Sequence, residues 1–117
     1  MRAKGRAAVV VTGISGRLGK LLAKRLHRTE RVIGIDRRPF EDRPRDIDHH
    51  RIDIRRKRCE EIFRHNPVRA LVHLNILHDP RMNAHEHHTF NILGTTRLLD
   101  YAARHGVKKV VILSSAN

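Results

Sequence analysis

The sequence predicts an α/β fold in which helices cover both faces of a parallel sheet. Short runs of β-branched and aliphatic residues recur along the chain, amphipathic stretches separate them, and a glycine-rich turn joins the first run to the first of these stretches. Strands that alternate with helices form parallel sheets. We therefore expect a three-layer fold with about five parallel strands in the order 3-2-1-4-5.

The first half of the predicted fold begins with the continuously apolar run from Ala7 to Thr12, which is typical of a strand covered on both faces. Leucines at helical spacing predict the first helix: Leu18, Leu21, Leu22 and Leu26. Arg31 to Asp36 is the second predicted strand, and a charged, proline-containing loop follows from Arg37 to Asp48. Arg51 to Ile54 is the third predicted strand.

The second half begins with a short predicted helix around Ile62, which Asn66-Pro67 ends because the residue before a proline disfavours helical geometry. Ala70 to Leu74 is the fourth predicted strand. A long helix is predicted from Phe90 to His105, with Gly106 as a left-handed cap, and a fifth strand from Lys109 to Leu113. The 117 residues, 1–117, are of a length typical of one domain.

The turn Gly13-Ile14-Ser15-Gly16-Arg17-Leu18-Gly19 lies between a predicted buried strand and a predicted helix. Glycines allow the backbone to approach a pyrophosphate, and a helix N-terminus stabilises its negative charge. Asp36 ends the next apolar run, where a carboxylate can bind ribose hydroxyls. The combination predicts a dinucleotide site; a turn without a ligand and an ordinary surface carboxylate are the alternatives.

The chain is strongly basic, with a net charge of +13. Such charge attracts polyanions, including nucleic acids. Acidic residues are interspersed with the basic ones, however, and one Tyr and no Trp cannot supply the aromatic platform of single-strand binders. We expect no specific nucleic-acid partner, only weak binding that falls steeply as salt rises.

Other classes of site and location find little support in the composition. The single cysteine, Cys59, excludes a disulfide framework and a cysteine metal cluster. No apolar run approaches the roughly 20 residues that span a membrane, so we expect a cytoplasmic protein with no membrane partner. Histidines are frequent in one region, but no ligand motif accompanies them and we expect no metal site: His73, His78, His85, His87 and His88.

Five short motifs follow one another along the chain: Thr12-Gly13-Ile14-Ser15-Gly16-Arg17-Leu18-Gly19, Asp53-Ile54, Val72-His73-Leu74, Asn91-Ile92-Leu93-Gly94-Thr95 and Ser114-Ser115. In this order they resemble the motifs of the extended short-chain dehydrogenase/reductase family, the NAD-dependent epimerases and dehydratases that act mostly on nucleotide sugars. The resemblance covers nearly the whole chain and implies a Rossmann-type fold that binds a nicotinamide dinucleotide.

The resemblance also implies the cofactor contacts. Residues of the glycine-rich turn would face the pyrophosphate and the adenosine: Gly13, Ser15, Gly16, Arg17, Leu18 and Gly19. Asp36 and Arg37 would contact the adenosine ribose, and Asp53 and Ile54 the adenine. Asp36 favours NAD over NADP, whereas the positive charge of Arg37 and Arg38 leaves NADP open.

Further positions would lie near the chemistry. Leu74 and Asn75 would lie along the cofactor, and Asn91 beside the active site. Ser115 stands where the family keeps its catalytic Ser or Thr. The family's Tyr-x-x-x-Lys pair belongs well beyond Ser115, and Tyr101 is no substitute, because it falls within a predicted helix and is followed at the required spacing by a histidine.

We therefore expect the NAD(P)-binding domain of an epimerase/dehydratase-like oxidoreductase that acts on a nucleotide sugar when full length. These 117 residues should bind cofactor without dehydrogenase or epimerase activity of their own. The alternative is a non-catalytic dinucleotide sensor or protein-interaction module. The apolar edge of the fifth strand also predicts self-association or a homo-oligomer.

Overall fold

Five parallel strands form one sheet in the computed structural model, which describes residues 6–74, 81 and 83–113. The strands are β1 (Ala8–Thr12), β2 (Arg31–Ile35), β3 (Asp48–His50), β4 (Val68–His73) and β5 (Lys109–Ile112). Their order is β3-β2-β1-β4-β5, and every adjacent pair is parallel. The predicted α/β class and strand order are confirmed.

The helices are α1 (Arg17–Leu26), α2 (Glu60–His65, after a 3₁₀ turn at Lys57–Cys59), α3 (Ala84–His88) and α4 (Gly94–Arg104), with a π-helical turn at Thr89–Leu93 between the last two. The helical backbone thus begins before the predicted Phe90, because the Asn83 side chain accepts a hydrogen bond of 2.8 Å from the Glu86 N–H and caps it. Gly106 adopts the predicted left-handed conformation, with φ of 72°. No helix within the described ranges is long and apolar enough to cross a bilayer.

Alternate residues of β1 pack into two hydrophobic cores, one on each face of the sheet. Val9 and Val11 join a cluster that contains Ala23 of α1. Val10 joins the opposite cluster, which contains residues of α2 and α4, including Phe63 and Leu98. Burying each aliphatic or aromatic side chain contributes about 1.5–3 kcal/mol, so the two cores hold the three layers together.

The third strand lies earlier in the chain than the sequence predicts. Strand β3 is Asp48–His50, which pairs with β2, whereas the predicted strand was Arg51 to Ile54. After His50 the backbone turns, and Asp53 accepts a hydrogen bond of 2.9 Å from the Arg56 N–H, which ends any extended run. Ile52 and Ile54 mimic a strand because both pack into the core from this turn.

Strand β5 is the last strand of the sheet in the described part of the chain. Val110, Val111, Ile112 and Leu113 are 38–47% exposed. An uncovered apolar strand can pair with another chain, so we expect concentration-dependent self-association in sedimentation velocity experiments. Val111→Lys should shift the population toward monomer, because a charge on an edge strand opposes pairing. A monomer at every concentration tested would contradict this prediction.

Candidate functional site

The carboxyl ends of β1, β2 and β4 meet at one edge of the sheet. Thr12, at the end of β1, is in register with Ile35 on one side and with His73 on the other. Asp36 follows β2 at this edge, and the turn after β1 leads directly into α1. Ligands of open α/β sheets bind at such an edge, where neighbouring crossovers run to opposite faces.

The glycine-rich turn brings α1 close to the end of β1. Gly13 has φ of 70°, and its N–H donates to the Ile35 carbonyl oxygen over 2.9 Å. Gly16 N–H donates back to the Gly13 carbonyl oxygen over 3.0 Å. A methyl group at Gly19 would overlap with the Gly13 carbonyl oxygen and lie 2.7 Å from Ile14 Cα. The absence of side chains therefore permits the helix to pack on its own turn.

The N-terminus of α1 points to the same edge without a side-chain cap. Gly16 is the N-cap residue, no side chain among the described residues caps the helix, and its first turn contains no acidic residue. Arg17 and Leu18 of this turn are exposed. The first backbone N–H groups of a helix have no intrahelical acceptor and carry partial positive charge, so this end is suited to an anion.

Asp36 is buried beside this turn. Its side chain is 1% exposed and accepts a hydrogen bond of 3.1 Å from the Ser15 N–H. It also accepts hydrogen bonds from Arg38, at 2.9 Å from the backbone N–H and 3.2 Å from both Nε and Nη2. The sequence indicated Asp36, but it did not indicate that Arg38 is its partner.

A second acidic residue lies in the turn after β3. Asp53 accepts hydrogen bonds from the Arg55 backbone N–H at 2.9 Å and from its Nη2 at 2.7 Å. Burial alone would raise the pKa of Asp53, but the hydrogen bonds and charge of Arg55 outweigh it and lower that pKa. Ile54 is fully buried, and its side chain lies against the backbone of Gly94, where a methyl group would lie 2.5 Å from Ile54 Cδ1.

The ring of Phe90 contacts an arginine next to each of the two acidic residues. Its ring is 1% exposed, and the guanidinium carbons of Arg37 and Arg55 lie 5.7 Å and 5.2 Å from the ring centroid. At exposed sites each cation–π contact of this kind stabilises the position of the guanidinium by about 0.5–1 kcal/mol. The Phe90 ring thus contacts both Arg37, which follows Asp36 in the chain, and Arg55, which binds Asp53.

His73 links the sheet edge to α4, a role that the sequence analysis missed. Its Nδ1 lies 2.6 Å from Thr12 Oγ1, and its Nε2 lies 2.8 Å from Thr95 Oγ1. Burial lowers the pKa of His73 to about 4. The imidazole is therefore neutral at pH 7, with a hydroxyl group against each nitrogen, which leaves neither nitrogen open to a metal ion.

The remaining predicted residues are distributed as follows. Leu74 is half-buried, with its N–H 3.2 Å from the Thr12 carbonyl oxygen, and Asn91 is half-buried in the π-helical turn. Asn75 and Ser115 lie outside the described residues, as does His78. In the described part of the chain, no three potential metal-ligating side chains cluster together.

Comparison with known proteins identifies the family to which the chain is similar. The sequence profile of the NAD dependent epimerase/dehydratase family matches residues 9–117. A search of curated proteins found no match. Among solved structures, the epimerase Mth375 from Methanothermobacter thermautotrophicus is similar, with 25% identity and a TM-score of 0.85 over 97% of this chain and 36% of that chain.

Two further solved structures are similar and contain NAD. A short-chain dehydrogenase/reductase superfamily protein from Agrobacterium tumefaciens with bound NAD is 25% identical, with a TM-score of 0.80 over 92% of this chain and 32% of that chain. MoeE5, in complex with UDP-glucuronic acid and NAD, is 28% identical, with a TM-score of 0.82 over 93% of this chain and 37% of that chain.

The chain thus spans about a third of the length of these three structures and corresponds to their N-terminal part. The family profile covers nearly all of it, including the glycine-rich turn and the segment that carries Asp36. The chain therefore belongs to the NAD dependent epimerase/dehydratase family.

Proposed function

We propose that this chain is the NAD-binding part of an oxidoreductase of the epimerase/dehydratase type, whose full-length form acts on a nucleotide sugar. The observation that carries the proposal is the placement of the buried Asp36 carboxylate beside an uncapped helix N-terminus at the glycine-rich turn. The complexes of MoeE5 and of the Agrobacterium tumefaciens protein with NAD support the choice of cofactor. The complexes of MoeE5 with UDP-glucuronic acid and UDP-glucose support the choice of substrate class.

The residues at the sheet edge fit a dinucleotide. The first turn of α1 is exposed at Arg17 and Leu18, and its backbone N–H groups lie at a positively polarised helix end, which suits a pyrophosphate. The carboxylate oxygens of Asp36 accept hydrogen bonds, which suits ribose hydroxyl donors. Gly16 adds no side chain beside the turn, where a methyl group would lie 3.3 Å from the Gly13 carbonyl oxygen and 3.4 Å from Arg38 Nη2.

This fit indicates which part of the chemistry belongs to the cofactor and which to the protein. A bound nicotinamide dinucleotide supplies the hydride chemistry, and the protein supplies binding, orientation and electrostatics. We assign to this chain the binding and orientation of the cofactor. We also propose that Ser115 hydrogen-bonds the reacting oxygen of the substrate.

Tyr101 is not a candidate for the general base. It is 5% exposed and packs against Phe63, with 6.1 Å between the ring centroids. Burial raises the pKa of Tyr101, which opposes the loss of its proton. A general base must reach its substrate proton, and a hydroxyl group buried between α2 and α4 does not.

The proposal is tested by titrating the purified chain with NAD in a calorimeter. Asp36→Ala should weaken NAD binding by about ten- to a hundredfold, because a hydrogen bond to a charged group contributes about 1.5–3 kcal/mol. Asp36→Asn should weaken it in the same direction while preserving the side-chain volume. Failure of the unmodified chain to bind NAD would refute the proposed function.

A matched control separates this effect from a general loss of negative charge. Asp42→Asn removes one carboxylate whose side chain is 74% exposed and which meets Lys24 at 3.8 Å. Asn also tolerates the φ of 51° at this position. NAD binding to Asp42→Asn should equal that of the unmodified chain, and circular dichroism should show that all variants remain folded.

A further inference from the structure

We propose that the outer face of α1 is a docking surface for an acidic segment of a partner protein that carries an apolar side chain among its carboxylates. The surface, here called the α1 groove, has a volume of about 560 Å³. Exposed residues of α1 and of the turn after it line this groove: Leu21, Lys24, Arg25, Arg28 and Thr29. Helix α1 is about 15 Å long, and the cations of the groove lie at the end away from the glycine-rich turn. The inference therefore does not depend on the proposed function.

The α1 groove follows one stripe of the helix. Positions 21, 24, 25 and 28 are three or four residues apart, so their side chains lie on the same face. The opposite stripe packs on the sheet, where Ala23 is buried in the core and Leu22 and Leu26 pack against it. Folding of the described residues thus uses the inner stripe of α1 and leaves the outer stripe open.

The positive charge of the α1 groove is only partly neutralised. Helix α1 contains no acidic residue. Among the described residues Arg25 and Arg28 have no ion-pair partner, and Lys24 lies 3.8 Å from the exposed carboxylate of Asp42. Lys24 and Arg28 are four positions apart, a spacing at which like charges repel each other on a helix face. An anionic ligand would relieve this repulsion.

The arginines of the other helices show that such charges can be paired within the fold. Arg64 of α2 and Arg104 of α4 lie 3.7 Å and 3.0 Å from carboxylate oxygens of Glu60. Lys24 and Arg25 lie in the last turn of α1, where positive charge complements the helix dipole. That effect accounts for a cation at a helix end, but it does not account for an exposed leucine beside the cations.

Leu21 provides an apolar contact within the α1 groove. It is 62% exposed, more than any other large apolar side chain in the described ranges, and Leu18, three positions earlier, is 49% exposed. Burial of apolar surface is favourable and does not depend on charge. A ligand that combines carboxylates with an apolar side chain would therefore contact both kinds of group in the groove.

Other occupants fit the α1 groove less well. A second copy of this chain has the same net charge of +13 and would be repelled. A nucleic acid would bind the cations but offers no aliphatic side chain to Leu21. A lipid surface requires a broad apolar helix face, whereas the apolar stripe of α1 packs on the sheet.

Fluorescence anisotropy with two labelled peptides tests the inference. The first peptide is rich in glutamate and carries leucines at helical spacing, and the second has the same length and charge with serine in place of each leucine. The unmodified chain should bind the leucine peptide about tenfold more tightly than the serine peptide. This ratio should persist as the salt concentration rises, because salt screens charges but not apolar contacts. Equal affinities for the two peptides would overturn the inference.

Two variants of the α1 groove separate its charge from its apolar contact. The double variant Arg25→Ala/Arg28→Ala should bind the leucine peptide about tenfold or more weakly, because two charge-assisted hydrogen bonds are lost. Leu21→Ala should bind the two peptides with nearly equal affinity. Asp42→Asn, which removes the carboxylate beside Lys24, should bind the leucine peptide more tightly than the unmodified chain.

A matched double variant controls for net charge. Lys57→Ala/Arg58→Ala removes two exposed cations next to Cys59, which belongs to the core on the other face of the sheet. At physiological salt it should change the affinity for the leucine peptide by less than about twofold, because distant charges are screened. Circular dichroism should show that all variants remain folded.

Two further results would contradict the inference. One is an equal loss of affinity in the two double variants, which would mean that net charge alone attracts the peptide. The other is tighter binding of a single-stranded DNA of equal charge, or of phosphatidylserine vesicles, than of the leucine peptide. Failure of the unmodified chain to bind NAD would refute the proposed function without affecting the peptide result.

Discussion

Replacing Gly19 by alanine is expected to destabilise the chain by about 3 kcal/mol or more and to abolish NAD binding. The added methyl group would overlap with the Gly13 carbonyl oxygen and lie within 2.9 Å of Ile14 Cα and its carbonyl carbon. These are backbone atoms of the turn, so no side-chain rotation can relieve the clash. Helix α1 would have to move away from β1, and its N-terminus would leave the position at which we propose that the pyrophosphate binds.

Urea unfolding followed by circular dichroism measures this effect. Leu21→Ala is the control on the same helix, because Leu21 is 62% exposed and alanine is a good helix former. Its free energy of unfolding should lie within about 0.5 kcal/mol of the unmodified chain. Unchanged stability and NAD affinity in Gly19→Ala would show that α1 does not pack on the turn as described.

The chain should lose about 2 kcal/mol of stability between pH 7 and pH 5 through His73 alone. Its pKa is about 4 in the folded chain because of burial, against 6.5 for an unperturbed histidine. The unfolded chain therefore binds a proton more readily than the folded chain. Above pH 6.5 the neutral His73 leaves the free energy of unfolding at its full value. As the pH falls from 6.5 toward 4, the unfolded chain takes up the proton first and the free energy of unfolding decreases, by about 3 kcal/mol in total at pH 4.

Urea unfolding at several pH values checks this prediction. His73→Gln removes the titrating group, so its free energy of unfolding should fall less steeply between pH 7 and pH 5, whatever its stability at pH 7. His85→Gln, at an exposed position of α3, should keep the slope of the unmodified chain. Equal slopes in the unmodified chain and in His73→Gln would mean that His73 is not buried as a neutral group.

Local chemistry explains why so much of the fold was predictable. Strand β1 lies within one continuous apolar run, and the leucines of α1 recur at helical spacing. Both patterns can be recognised directly from the sequence. Gly13 and Gly106 adopt positive φ, as turns and helix ends require of glycine. The alternation of such units then limits the sheet to very few arrangements, and the predicted order was confirmed.

The displaced third strand shows where local patterns fail. Within the described residues strand β3 pairs with β2 alone and lies at the sheet edge, so the polar segment from Asp48 to His50 can serve as a strand. Ile52 and Ile54 have the alternation of a strand but are buried from a turn. The periodicity of apolar residues indicates which side chains are buried. It does not indicate whether the backbone at those residues is a strand or a turn.

The sequence by itself determined the α/β class, the strand order, the glycine-rich turn and the acidic residue after β2. Those features depend on residues close together in the chain. The tertiary structure decided which groups those residues meet: His73 bridges Thr12 and Thr95, which lie 61 and 22 positions away from it. Arg38 reaches Asp36 and the turn at Gly16, and Phe90 lies beneath Arg37 and Arg55. These contacts form because the helices and loops pack onto the sheet, and the spacing of the residues along the chain does not predict that packing.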